Sequence, residues 1–227
     1  MKEGMRLCKE PLSGVGFDTW GVDCGMIDRE GNLLGMPGSY RDAALDEENM
    51  NDVLASLVPE EQDRDKAVKA GEKYAFEQTG IASLAYNTLY KLCYLNKAMP
   101  EQMAAADKLL FMPNLIEYLF SGVVHSEYSI ASTSQLLDMK EKKWASELIR
   151  KAGIDPKLLA PLDYAGKDLG PLRPEIAKEV GQENLHILSV SGHDTACAVA
   201  AVPAREEEFT FLSSGTWSVS YTHLRAH

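Results

Sequence analysis

Cysteine is scarce: the 227 residues hold four, Cys8, Cys24, Cys93 and Cys197, with neither C-x-x-C nor dense framework spacing. That excludes a disulfide-stapled miniprotein and a paired-thiol zinc site, and it reads as four reduced structural thiols in a cytoplasmic protein. No apolar run approaches the ~20 residues of a membrane helix, and no apolar block with a cleavage site follows Met1. Neither a membrane span nor a secretion signal is expected. Positive charge is also short, with 23 Lys and Arg against 34 Asp and Glu, a net charge of −11 and no basic block. A nucleic-acid partner is therefore disfavoured. The five histidines fall into no H-E-x-x-H pattern, so no metal site built from protein side chains is expected. G-x-x-x-x-G-K and G-x-G-x-x-G are missing too, which removes two familiar phosphate-binding loops. What remains, 45% hydrophobic and 25% charged with 17 Gly and 10 Pro, is ordinary globular material.

Periodicity and breakers divide that material. Residues 1–10 can form helical turns stopped by Pro11. Val15 and Phe17, then Val22, Cys24 and Met26, alternate as strands, and DREGN turns the chain so that Leu33 and Leu34 pair back. Asp18 and Asp23 stand on this strand, where acids are costly to bury unpaired; they either face solvent or serve a site. The segment 42–77 reads as helix, polar linker, helix. Leu89, Leu92 and Cys93 share a helical face, Pro100 opens a short helix, and Lys108–Met112 is a strand. Apolar stripes at Leu115–Phe120 and Trp144–Ala152 end at Gly122 and Gly153, Pro156 opens a further turn after Asp155, and a helix opened by Pro174 ends at Gly181. Ile187–Val190 is a strand, SGHD a tight passage, Thr195–Val202 an alanine-rich helix suited to close packing, and Phe211–Leu212 a strand leading into SSGTWS. Strands alternating with helices and hairpins predict an α/β fold with a mixed sheet.

Three segments can carry chemistry. In Gly192-His193-Asp194-Thr195, a carboxylate in the first turn of a helix faces unpaired N–H groups and the positive end of the dipole, which suits Asp194 to act as a base. The plainer alternative is that Asp194 or Ser191 caps the helix, and His193 is either a ligand donor or a structural histidine. In Ser213-Ser214-Gly215-Thr216-Trp217-Ser218, hydroxyls and amides around a glycine can grip an anion, or form an ordinary serine-rich turn. In Asp18-Thr19-Trp20-Gly21-Val22-Asp23, an indole beside glycine offers an apolar wall and the acids offer acceptors for the hydroxyls of a polyol, or else one Trp packs at a strand end.

These segments, with YRD at Tyr40–Asp42, NTLYKL at Asn87–Leu92, LLFMPNLIEYLFSG at Leu109–Gly122 and SEYSIASTSQLLD at Ser126–Asp138, resemble the FGGY family of carbohydrate kinases, and within it the branch acting on L-rhamnulose. The resemblance runs from Leu12 to Val219. It implies ATP-dependent transfer to the primary hydroxyl of L-rhamnulose, giving L-rhamnulose 1-phosphate, in a fold of two ribonuclease-H-like (actin-like) domains. On it Asp194 corresponds to the general base, with His193, Thr195 and Gly21 in the sugar site and Thr216 at the ATP phosphates. Mg²⁺ would bind chiefly through ATP.

Some parts of the family pattern are missing. The phosphate-gripping hairpin that opens the family and the second domain that completes the adenine pocket have no counterpart, and ASLAY at Ala82–Tyr86 replaces an aromatic, proline-containing stretch. SYTHLRAH at 220–227 does not continue the pattern and reads as a non-native tail. The expectation is therefore 1–219 as a partial N-terminal domain, the incomplete first domain of a two-domain sugar kinase, inactive by itself. The rival readings are a kinase for another ketose or polyol and a non-catalytic sugar-binding or regulatory module. Oligomeric state is not legible.

Overall fold

Glycine ends three helices of this chain, and an aspartate cap or an early proline begins several. In the computed structural model, which describes residues 2–8, 10, 12–203, 210–214 and 218–222, α1 (Lys2–Leu7) precedes β1 (Gly14–Val15) and β2 (Cys24–Ile27). Next come α2 (Glu47–Ser56), α3 (Arg64–Thr79), α4 (Thr88–Ala98), α5 (Pro100–Ala105), β3 (Lys108–Phe111) and α6 (Met112–Ser121). The middle of the chain holds β4 (Ser126–Glu127), α7 (Tyr128–Ala131), β5 (Leu137–Asp138), β6 (Lys143–Trp144) and α8 (Ser146–Lys151). The last part holds β7 (Leu162–Asp163), β8 (Lys167–Pro171), α9 (Pro174–Val180), β9 (His186–Ser189), α10 (Asp194–Ala200), β10 (Thr210–Ser214) and β11 (Ser218–Thr222).

The caps follow the sequence signals. Asp46 accepts from the Asn49 amide to begin α2, and Asp63 accepts from Asp65 and Lys66 to begin α3, satisfying amides that have no partner within the helix. Gly80, Gly122 and Gly181 end α3, α6 and α9 at φ 71°, 85° and 73°, a left-handed conformation that a Cβ disfavours.

The expected mixed sheet is present in small form: β9 lies between β1, parallel to it, and β8, antiparallel to it. The expected return of Leu33 and Leu34 is reduced to a bridge from Ile27 to Leu33 and a bond from the Leu34 amide to the Met26 carbonyl. The full antiparallel partner of β2 is β3, with Cys24 opposite Phe111 and Ile27 opposite Lys108. The strand expected at Val15–Phe17 stops at Val15, while the Phe17 ring stacks on Phe120 at 5.2 Å. Trp144 lies in β6, one residue pair ahead of the helix expected to include it. None of the described residues of α10 is buried, so the close packing expected of its alanines is not found. Backbone pairing of β11 continues from Val219 through Ser220, Tyr221 and Thr222 against β10.

The main core joins β2 and β3 to α2, α4 and α8 through Met26, Leu54, Leu92, Leu109, Phe111 and Leu148. Cys24 and Cys93 lie in it, and burial pushes their thiols up to about 11 and about 12, as inert structural thiols require. Cys8 by contrast is exposed. The α2–α3 contact depends on small residues: Ala67, Gly71, Ala75 and Thr79 form the buried stripe of α3. A Cβ at Gly71 would fall inside the envelope of the Leu54 carbonyl, a backbone atom that cannot turn aside. Gly71→Ala should therefore destabilise the chain by about 2–3 kcal/mol, or roughly 5–10 °C in Tm. Thermal unfolding followed by circular dichroism checks this, and an unchanged Tm would show that α2 and α3 slide apart freely.

Candidate functional site

The first and third of the chemistry-bearing segments meet. Past β1 the chain runs beside the passage that follows β9: the Thr19 amide donates to the Gly192 carbonyl at 2.9 Å, and the Asp194 amide donates to the Thr19 carbonyl at 2.8 Å. Thr19 and His193 thus form a parallel bridge. This pairing fixes Trp20 and Gly21 beside His193, Asp194 and Thr195, although some 170 residues of chain separate them.

Gly21 packs on Thr133, where a Cβ would sit 2.9 Å from Cγ2 and 3.1 Å from Oγ1. The next residue, Val22, has φ 63°, a costly conformation for a β-branched side chain. Its neighbours hold it there. The Asp23 amide closes a three-residue turn on the Gly21 carbonyl at 2.8 Å, Thr133 Oγ1 accepts from the Val22 amide at 2.9 Å, and Thr88 Oγ1 donates to the Val22 carbonyl at 2.8 Å. Backbone strain maintained this way is characteristic of functional positions.

The two acids of the segment have separate fates. Asp18 is exposed. Asp23 is 3% exposed and fully engaged: Lys91 Nζ donates to Oδ1 at 2.6 Å and Trp20 Nε1 donates to Oδ2 at 2.7 Å. The expectation that Asp23 offers acceptors to a polyol is therefore corrected. Its oxygens are occupied because a buried carboxylate must be paired, and Lys91 of α4 is the partner. Asp23 tethers the indole, while the Trp20 ring remains 48% exposed.

Asp194 is the first residue of α10, after His193 at the cap position, and neither side chain caps the helix in the usual way. Asp194 Oδ1 accepts instead from its neighbour, from the Thr195 amide at 2.6 Å and from Thr195 Oγ1 at 3.3 Å. Its side chain is 54% exposed, and its Oδ1 lies 3.4 Å from His193 Nε2. Burial holds the His193 ring below the ordinary histidine range, although Asp194 and Glu127 pull the other way. A neutral ring at pH 7 offers one N–H donor beside one carboxylate acceptor. That combination can orient a hydroxyl group and take its proton.

Gly215 and Thr216 lie outside the described residues; the strands on either side pair as a hairpin, Ser214 opposite Ser218. A hollow of about 350 Å³ lies elsewhere, against Asn96, Met103, Gly153 and Asp155, and none of Gly21, His193, Asp194 or Thr195 lines it. Among the described residues no group of three or more His, Cys, Asp or Glu side chains is placed to hold a metal ion. Among them, too, no helix is long and apolar enough to cross a membrane.

Residues 60–201 match the FGGY family of carbohydrate kinases, N-terminal domain. The chain is 35% identical over 210 residues to a rhamnulokinase of Bacteroides thetaiotaomicron, which covers 92% of this chain and 40% of that protein. It is 34% identical over 205 residues to a rhamnulokinase of Enterococcus faecalis, over 90% of this chain and 38% of that one. The chain thus spans about two fifths of the length of the curated relatives it matches. Among solved structures, a carbohydrate kinase from Novosphingobium aromaticivorans superposes with a TM-score of 0.72 at 22% identity, over 97% of this chain and 45% of that one. A ligand-bound xylulose kinase from Lactobacillus acidophilus does so with 0.68 at 16%, over 84% and 36%. The fold is that of these sugar kinases, α/β and actin-like, present in part.

Proposed function

The chain belongs to the FGGY family of carbohydrate kinases, and from that premise we propose that it carries the general base and one wall of the sugar site of an ATP-dependent kinase acting on L-rhamnulose. The observation that carries this reading is the register of Thr19 with Gly192 and Asp194, which sets a base, a neutral imidazole and an indole-glycine wall side by side. In the reaction, the primary hydroxyl of the ketose loses its proton to Asp194 as its oxygen bonds to the γ-phosphorus of ATP. The bond to the β,γ-bridging oxygen breaks, and ADP leaves with L-rhamnulose 1-phosphate as the product. Thr216 belongs at the ATP phosphates in this reading, and Mg²⁺ arrives on those phosphates. Residues 1–219 form part of the N-terminal domain and 220–227 a tail foreign to the family. The setting is the cytoplasm, where the four free thiols stay reduced. The identity to two rhamnulokinases favours L-rhamnulose over other ketoses.

The test joins this chain to the part of the Bacteroides relative it does not match, so that it replaces the matched segment, and follows ADP release with MgATP. L-rhamnulose should support turnover, with xylulose and glycerol far behind. Preference for either of those would assign another ketose or polyol kinase. Sugar binding by a folded chimera without ADP release would assign a non-catalytic module.

A further inference from the structure

One buried carboxylate outside the three segments reaches the turn that carries the base. Glu127 closes β4 and is 2% exposed. Its Oε2 accepts from the Ser129 and Ile130 amides at 2.9 and 3.2 Å, capping α7, and from Ser129 Oγ at 2.5 Å. A shorter Ser, Thr or Asp would cap as well. The extra length of glutamate brings the same oxygen to 2.9 Å from the Gly192 amide, 65 residues on. Gly192 has no room for a side chain: a Cβ would lie 2.9 Å from Pro113 Cγ and 3.3 Å from Glu127 Oε2. Ser129 Oγ in turn accepts from the His193 amide at 3.3 Å, and the Asp194 amide goes to Thr19. Three successive amides of the turn are therefore bound by groups outside α10. Glu127 is itself braced, its amide donating to Asn114 Oδ1 at 3.2 Å. Asn114 Nδ2 donates to Glu117 Oε2 at 3.0 Å, which also meets His125 Nε2 at 2.8 Å.

We propose that Glu127 is a positioning residue for Asp194, fixing the Gly192–His193 turn from which the carboxylate projects. The proposal rests on the reading of Asp194 as the base. The charged groups acting on the His193 ring are Asp194 and Glu127, so Glu127 carries a second signature that simple support of the fold lacks.

Amide exchange and histidine titration by NMR on the full chain test it. In E127A the Gly192 and His193 amides should exchange at least about tenfold faster, since a charge-assisted acceptor is lost, while the Leu109–Phe111 amides keep their rates. In E127Q, which keeps an acceptor oxygen but no charge, the His193 ring should titrate lower, because the Glu127 charge that pulls it upward is gone. If E127A does not fold, E127Q and the milder S129A decide: S129A should speed exchange at His193 and leave Leu109–Phe111 alone. In the chimera, E127A should lower kcat by about 10²-fold with little change in sugar KM, as a small displacement of a reacting group does. Uniform acceleration of exchange, an unmoved His193 titration or an unchanged kcat would each overturn the proposal. Expected exchange and titration in a chimera that phosphorylates no sugar would instead sink the kinase reading and leave the positioning of the turn standing.

Discussion

Asp194→Asn should lower L-rhamnulose phosphorylation by the chimera by roughly 10²–10⁴-fold, the usual loss when a general base is removed. Asparagine is nearly isosteric and keeps a carbonyl oxygen where Oδ1 accepts from the Thr195 amide and hydroxyl. The start of α10 should therefore keep its conformation, and the half-exposed position should leave stability within about 0.5 kcal/mol. What disappears is the basic lone pair for the hydroxyl proton. Sugar affinity, read by calorimetry, should change far less than kcat, because hydrogen bonding to a hydroxyl survives in the amide. A kcat near that of the unaltered chimera would place the base elsewhere, and a matching fall in affinity would make Asp194 a binding group only.

Local signals in the sequence were sufficient wherever the physics was local. Gly122 and Gly181 end their helices, Pro100 and Pro174 begin theirs, and Lys108–Phe111 forms a strand, because caps and periodicity act within a few residues. The candidate site was legible to the extent that Asp194 follows a strand and begins a helix. The pairing of Thr19 with His193 was not, since nothing in either segment specifies its partner across such a distance. The same limit hid the pairing of β2 with β3 and the use of Asp23: its identity announced an acid in a strand, but Lys91, 68 residues on, decides that it is a buried structural group. Glu127 left a faint trace, an acid two residues before Ser129 at a helix start, readable as a cap. Its reach to Gly192 was not readable. The left-handed φ of Val22 contradicts its residue type, which would have assigned such a conformation to Gly21 or Gly25; tertiary hydrogen bonds override the local preference there.

The largest expected loss of stability lies at Lys91. Its side chain is 5% exposed and that of Asp23 4%, and Nζ also donates to the Gly38 carbonyl at 2.7 Å. One ammonium thus joins α4 to the strained turn at Val22 and to the loop leading into Tyr40 and Arg41. Lys91→Met fills much of the volume and leaves the Asp23 carboxylate buried with the Trp20 N–H as its remaining side-chain donor. Breaking one side of such a pair costs about 3–5 kcal/mol, so Tm should fall by roughly 10 °C or more. The double change Lys91→Met with Asp23→Asn removes both charges while the amide oxygen still accepts from Trp20, and it should recover most of that loss. The recovered part, read from urea unfolding of the two single variants and the double variant, is the coupling between the residues. A Lys91→Met chain within 1 kcal/mol of the parent, or a double variant no better than the single, would mean that water reaches Asp23 and the pair does not hold the core. If the pair does hold it, loss of the ammonium lets the Asp23 carboxylate shift, and the Trp20 indole bonded to it shifts with it. Sugar KM in the chimera should then rise more than kcat falls, because the wall, not the base, has moved.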